Sequence, residues 1–183
     1  MPNLQLEKRH LATGGGSVIG IDEAGRGPWA GPVTAAAFWL NPDFFDQISP
    51  ELNDSKKLSP AKRASMYAEL TGAEHCFSVA SIAAMEIDQI GILGATFLAM
   101  RQAVAQLQEI LISRLYPAIE MCLVDGNLDP DLGIPTRTVI NGDALSCSIA
   151  AASIIAKETR DNLMRSLACD HGVYGWDSNM GYG

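Results

Sequence analysis

Two adjacent carboxylates, Asp22 and Glu23, close the apolar run Val18-Ile19-Gly20-Ile21 and are followed at once by Gly25-Arg26-Gly27. The run reads as a short buried strand. Side chains alternate along a strand, so the two acids share a direction only if the backbone turns there. Burying a carboxylate beside such a run costs on the order of several kcal/mol unless a cation compensates it. A divalent metal ion is the chemistry this pattern suggests. The plainer alternative is an Asx-turn followed by an ordinary glycine turn.

Two more acids sit in the same kind of place. Asp125 follows the run 119–124, and Asp143 follows 137–140 within Asn141-Gly142-Asp143. Taken singly, Asp125-Gly126 is a common turn pair, and Asp143 would N-cap a helix starting at Ala144. Their shared position after strands means that one sheet would gather all four acids. Hard oxygen ligands of this kind suit Mg²⁺ or Mn²⁺ rather than zinc or copper.

The elements that must position them are legible as periodicity. Strands are expected over about 17–22, 32–40, 75–82, 119–124 and 137–140. Helices are expected from Pro60 to about Leu70, near 85–91, over Ala95–Leu115 and over about 144–169, with irregular chain after Asp170. Hairpin strands first and helices interleaved later predict an α/β fold, a mixed sheet with helices packed on it. Residues 1–16 end in Thr13-Gly14-Gly15-Gly16 and read as a flexible lead-in, leaving 17–183 as one domain. No internal repeat is present.

Composition narrows the class. A chain of 183 residues with 48% hydrophobic content can bury a real core. No apolar run approaches the roughly 18 residues of a membrane helix, and no signal-peptide pattern opens the chain. Cys76, Cys122, Cys147 and Cys169 are scattered, without zinc spacing, which suits reduced thiols in a cytoplasmic protein. A net charge of −8 is unfavourable for nucleic-acid binding unless the acids surround cations that invert the local sign.

The ordered blocks resemble the type 2 ribonucleases H, the ribonuclease HII family. They are Gly20–Val33, Asn53–Ser59, Val124–Asn127, Asn141–Ala144, Ser148–Lys157, Thr159–Asp161 and Gly181–Gly183. The resemblance implies a ribonuclease H-like fold with an antiparallel N-terminal hairpin and flanking helices. It also implies that Asp22, Glu23, Asp125 and Asp143 are the catalytic, metal-binding set for two Mn²⁺ or Mg²⁺ ions. Such ions, about 3.5–4 Å apart, activate a water and stabilise the departing 3′ oxygen.

The implied substrates are RNA–DNA hybrids and duplex DNA containing single ribonucleotides, cut 5′ of the ribonucleotide to leave 3′-hydroxyl and 5′-phosphate ends. By the same resemblance, Gly25, Arg26 and Gly27 contact the ribonucleotide, although Arg26 has the alternative of pairing with a carboxylate. Tyr182 matches the tyrosine that packs on the sugar and bonds the 2′-hydroxyl, its alternative being an ordinary surface residue. Lys56, Lys57 and Lys157 are phosphate contacts or solvated side chains. A monomer is expected, with no membrane partner.

The chain departs from the family pattern in three places. Asn179 and Met180 stand where many relatives carry a basic pair, and Leu145 stands where Lys is common. Relatives usually continue past the Gly-Tyr element, so a further helix and basic tail are expected beyond Gly183, and weaker substrate binding without them. Two rival readings fit the residues less well. Gly25-x-Gly27-x-x-Ala30 formally matches a dinucleotide-binding oxidoreductase, but Pro28 and Pro32 obstruct the required helix. A non-catalytic nucleic-acid-binding module on the same fold would lack a carboxylate, and all four are present.

Overall fold

In the computed structural model, which describes all 183 residues, the run after Gly16 forms β1 (Ser17–Ala24), and β2 (Val33–Trp39) returns beside it. β3 (Cys76–Ile82), β4 (Ile119–Asp125) and β5 (Thr136–Val139) complete one sheet in the order β3-β2-β1-β4-β5. β1–β2 and β2–β3 pair antiparallel, and β1–β4 and β4–β5 pair parallel. The sheet is therefore mixed and opens on an antiparallel hairpin, as the sequence predicts. The segment 25–32 turns directly into β2 rather than a helix, which removes the dinucleotide-binding alternative.

Both faces are covered, and alternation along each strand decides which residue faces which layer. Ile19, Ile21, Val33, Ala35, Ala37 and Val124 pack against α3 (Ala84–Ser113). Ala36 and Phe38 face α4 (Cys147–Asp170) and α2 (Pro60–Gly72). The inward stripe of α3, Ala95, Ala99, Ala103 and Leu107, repeats every four residues. α4 lies so close to β1 that a Cβ on Gly20 would run into the backbone of Ser148 and Ile149. That close approach brings α4 side chains to the end of β1.

Three expectations are corrected. The lead-in is not featureless: α1 (Gln5–Leu11) forms there and buries Glu7. Glu7 Oε1 accepts from the Ser146 hydroxyl (2.6 Å), the Ser148 amide (3.0 Å) and the Ser148 hydroxyl (2.8 Å), fastening the N-terminus to the start of α4. The two helices expected over 85–115 are one element broken at Gly91, whose φ of 74° is left-handed. That element is also long and apolar enough, by length and composition, to cross a membrane, a feature that counting unbroken apolar runs misses. Its inward stripe packs on the sheet.

Candidate active site

Asp22 and Asp125 lie on adjacent parallel strands, each one residue past the paired Ile21 and Val124. Because Ile21 and Val124 face α3, both acids face α4. Asp22 is 5% exposed, and its carboxylate accepts from the Glu23 amide (2.7 Å). Burial first, then repulsion from Glu23 and Asp125, raises its pKa well above the usual range, partly offset by the nearby Ser153 hydroxyl and the hydrogen bond from the Glu23 amide.

Glu23 is held by Arg26, Nη1 to Oε1 at 3.0 Å. Burial raises its pKa, Arg26 and Lys56 oppose the rise, and Asp125 adds to it. The carboxylate-pairing alternative for Arg26 is therefore what this structure displays.

Asp143 reaches the same rim by a different route. After β5, Asn141 takes a left-handed conformation (φ 54°) and begins a 3₁₀ turn, Gly142–Ala144. The Gly142 amide donates to Asp125 Oδ1 at 2.6 Å. A Cβ on Gly142 would press on Ile149 and on that same oxygen, so glycine permits the approach. Asp143 is 6% exposed and does not cap α4; Ser146 does. Its pKa is raised by burial, then by the neighbouring charges of Asp125 and Asp54, with Lys56 opposing.

Lys56 lies among these acids. Burial disfavours its charge, but Asp22, Asp143, Asp54 and Asp125 outweigh that and hold its ammonium above the ordinary value. It also borders a second recess of about 340 Å³, lined by Gly25, Arg26, Gly27, Lys157, Arg160 and Tyr182 among others. The structure thus brings Gly25–Gly27, Tyr182, Lys56 and Lys157 beside the acids. Tyr182 is 53% exposed, and a Cβ on Gly27 would sit 3.5 Å from its ring. Lys157 pairs with Asp161 at 2.8 Å, and the exposed Lys57 pairs with Asp54 at 3.6 Å. Lys57 borders the Asp125–Asp143 side rather than the glycine loop.

The acids converge without closing into a cage: no three acidic, histidine or cysteine side chains stand together closely enough to hold an ion as placed. Two of them have oxygens taken up by nearby groups instead, Gly142 on Asp125 and Arg26 on Glu23. The donor set still fits a hard divalent cation, since it gathers buried and half-buried carboxylates with Arg26 and Lys56 offsetting only part of their charge.

Sequence reasoning passed over Asp54, a fifth carboxylate at this rim. Its Oδ1 accepts from the Lys56 amide at 2.9 Å, and that Asx-turn in Asn53-Asp54-Ser55 was the available signal. Also missed was a buried network in which Arg63 of α2 binds Glu158 (2.6 Å), Asp161 (3.2 Å) and the Ser55 carbonyl (3.3 Å). With the Ser55–Ser153 hydroxyl pair at 2.8 Å, it fixes the loop that delivers Lys56.

This geometry agrees with comparison to known proteins. The ribonuclease HII family profile matches residues 19–183. A ribonuclease HII of Gluconobacter oxydans is 45% identical, the match covering 100% of this chain and 83% of that protein. A ribonuclease HII of Caulobacter vibrioides is 48% identical over 99% of this chain and 79% of its own length. The crystal structure of ribonuclease H2 from Pyrococcus horikoshii superposes with a TM-score of 0.75 at 26% identity, covering 91% of this chain and 81% of that one. With the profile spanning the sheet, the carboxylate rim and the Tyr182 turn, the chain belongs to the ribonuclease HII family.

Proposed function

We propose that this metal-dependent endoribonuclease cuts the RNA strand of RNA–DNA hybrids and nicks duplex DNA 5′ of single embedded ribonucleotides, leaving 3′-hydroxyl and 5′-phosphate ends. The observation that carries the reading is the meeting of Asp22, Glu23, Asp125 and Asp143, from three chain segments, beside a glycine loop and an exposed tyrosine.

Asp22, Glu23, Asp125 and Asp143 would hold two Mn²⁺ or Mg²⁺ ions, with Asp22 the most enclosed of the four. When bound, such ions supply an activated water and stabilise charge on the leaving oxygen. The chain's own residues do the rest. Gly25, with φ of +106°, carries the backbone past the recess in a conformation that other residues adopt only under strain. Gly27 puts no side chain beside Tyr182, and the Tyr182 hydroxyl would meet a 2′-hydroxyl, the group that separates RNA from DNA. Lys56 spans both recesses and would bind the phosphate between them.

The test is a labelled duplex carrying one ribonucleotide, incubated with the protein and Mn²⁺ or Mg²⁺, beside an all-DNA control. A single nick 5′ of the ribonucleotide, abolished by EDTA, is expected. Absence of cutting, or equal cutting of the control, contradicts the proposal.

A further inference from the structure

Arg160, in the middle of α4, is 1% exposed and heads the fully buried side chains by volume. Its three hydrogen bonds all end on backbone carbonyls: Nε on Pro32 (2.9 Å), Nη2 on Ala30 (3.0 Å) and Nη1 on Met180 (2.9 Å). Burying a guanidinium without a bonded carboxylate is costly, and burial lowers its proton affinity. A fold retains such a group where its rigid fork does something a hydrophobic residue cannot.

The three carbonyls belong to two loops far apart in sequence. Ala30 and Pro32 end the turn that begins at Gly25-Arg26-Gly27, and Met180 opens the turn that carries Tyr182. The loops also touch directly, since the Trp29 and Ala30 amides donate to the Gly181 carbonyl at 2.9 and 3.2 Å. Little slack is left around the guanidinium. A Cβ on Gly25 would strike Arg160 Nε and the Pro32 carbonyl, and one on Gly181 would strike the Ala30 carbonyl. Arg160 also lies seven residues, two helical turns, beyond Ser153, whose hydroxyl lies beside Asp22 and helps hold down its pKa. One helix face therefore holds both the acid rim and the junction of the loops.

We propose that Arg160 is a positioning residue that locks the Gly25–Gly27 loop and the Tyr182 turn into one unit, at a fixed distance from Asp22, for recognition of the ribonucleotide sugar. The lock is a property of the free protein; its use in sugar recognition rests on the proposed function above. Lysine keeps the charge at this position but cannot span three carbonyls.

The test is Arg160→Lys. In the substrate-free protein, amide hydrogen exchange at Trp29 and Ala30 should quicken by about tenfold or more while β1 and β4 stay protected. On the single-ribonucleotide duplex, kcat/KM should fall about 10–100-fold, as expected of a displaced positioning contact. Arg160→Lys should cost little more in a Tyr182→Phe background, because both changes act on one unit. Unchanged exchange at Trp29 and Ala30 would overturn the lock. Penalties that simply multiply in the double variant would overturn its role in recognition. If Arg160→Lys does not fold, Gly181→Ala opens the same junction from the other side and must give the same local exchange. Exchange is read without substrate, so a wild-type protein inactive on the duplex would sink the functional proposal while leaving the lock to be judged separately.

Discussion

Asp22 and Asp125 leave neighbouring parallel strands side by side, each one residue beyond the paired Ile21 and Val124, and both face α4. Parallel pairing is what makes this possible, since it puts the C-terminal ends of both strands at one edge of the sheet. Asp22→Asn or Asp125→Asn should lower the cleavage rate at least about a hundredfold while circular dichroism stays unchanged, as loss of a group stabilising transition-state charge does. Full activity in either variant would exclude the acids from the chemistry.

The same acids set a pH dependence for stability. Burial and neighbouring charge raise Asp22, Glu23 and Asp143 above their ordinary values. Before cations bind, the native state holds these protons more tightly than the unfolded chain. Their contribution is complete below about pH 4 and is lost as pH rises through the raised native values. The thermal midpoint of ion-free protein should therefore fall over this range. Asp22→Asn should flatten the fall and raise the midpoint at neutral pH by a few degrees, equivalent to about 1 kcal/mol. Mn²⁺ at a fixed concentration, about 100 times its Kd at neutral pH, should add roughly 2.7 kcal/mol there and less at acid pH, where protons compete for the carboxylates. Melting curves with and without EDTA check the sign; a Mn²⁺ increment independent of pH contradicts it.

Glu7 ties α1 to the start of α4, three residues after Asp143. Glu7→Ala would leave the buried Ser148 amide and one of the Ser146 and Ser148 hydroxyls without an acceptor, at a cost of about 1–3 kcal/mol. Glu7→Gln keeps one acceptor oxygen and should cost less. Denaturant midpoints of the two variants give the comparison, and equal stability to the unchanged protein would contradict the anchoring role.

Gly20 is where α4 meets β1. Gly20→Ala would push a methyl into the Ser148 backbone and should destabilise by about 1–3 kcal/mol or more. Thermal unfolding reads this directly, and a neutral outcome would mean that helix and strand are less closely packed than described.

What the sequence revealed and what it hid follow from the range of the interactions. β1, β2 and β4 were legible because β-branched and apolar runs bounded by turn residues carry a local signal. Asp22 and Asp125 were legible for the same reason, each being the first polar residue after such a run, with Glu23 beside Asp22 and Asp143 three residues past the next run. α1 was hidden because its seven residues are mostly polar, and a helix that short depends on packing that no local pattern reports. Asp143 looked like a helix cap, but a 3₁₀ turn intervenes and hands the cap to Ser146. Arg160 stood in the Thr159–Asp161 block, but nothing local told its role, because its partners lie about 130 and 20 residues away along the chain.

The most direct check is anomalous scattering from crystals grown with Mn²⁺. Two peaks bound by Asp22, Glu23, Asp125 and Asp143 are the predicted result, with the side chains drawn inward from their present positions. Crystals saturated with Mn²⁺ whose only peaks lie away from those four acids would contradict the account.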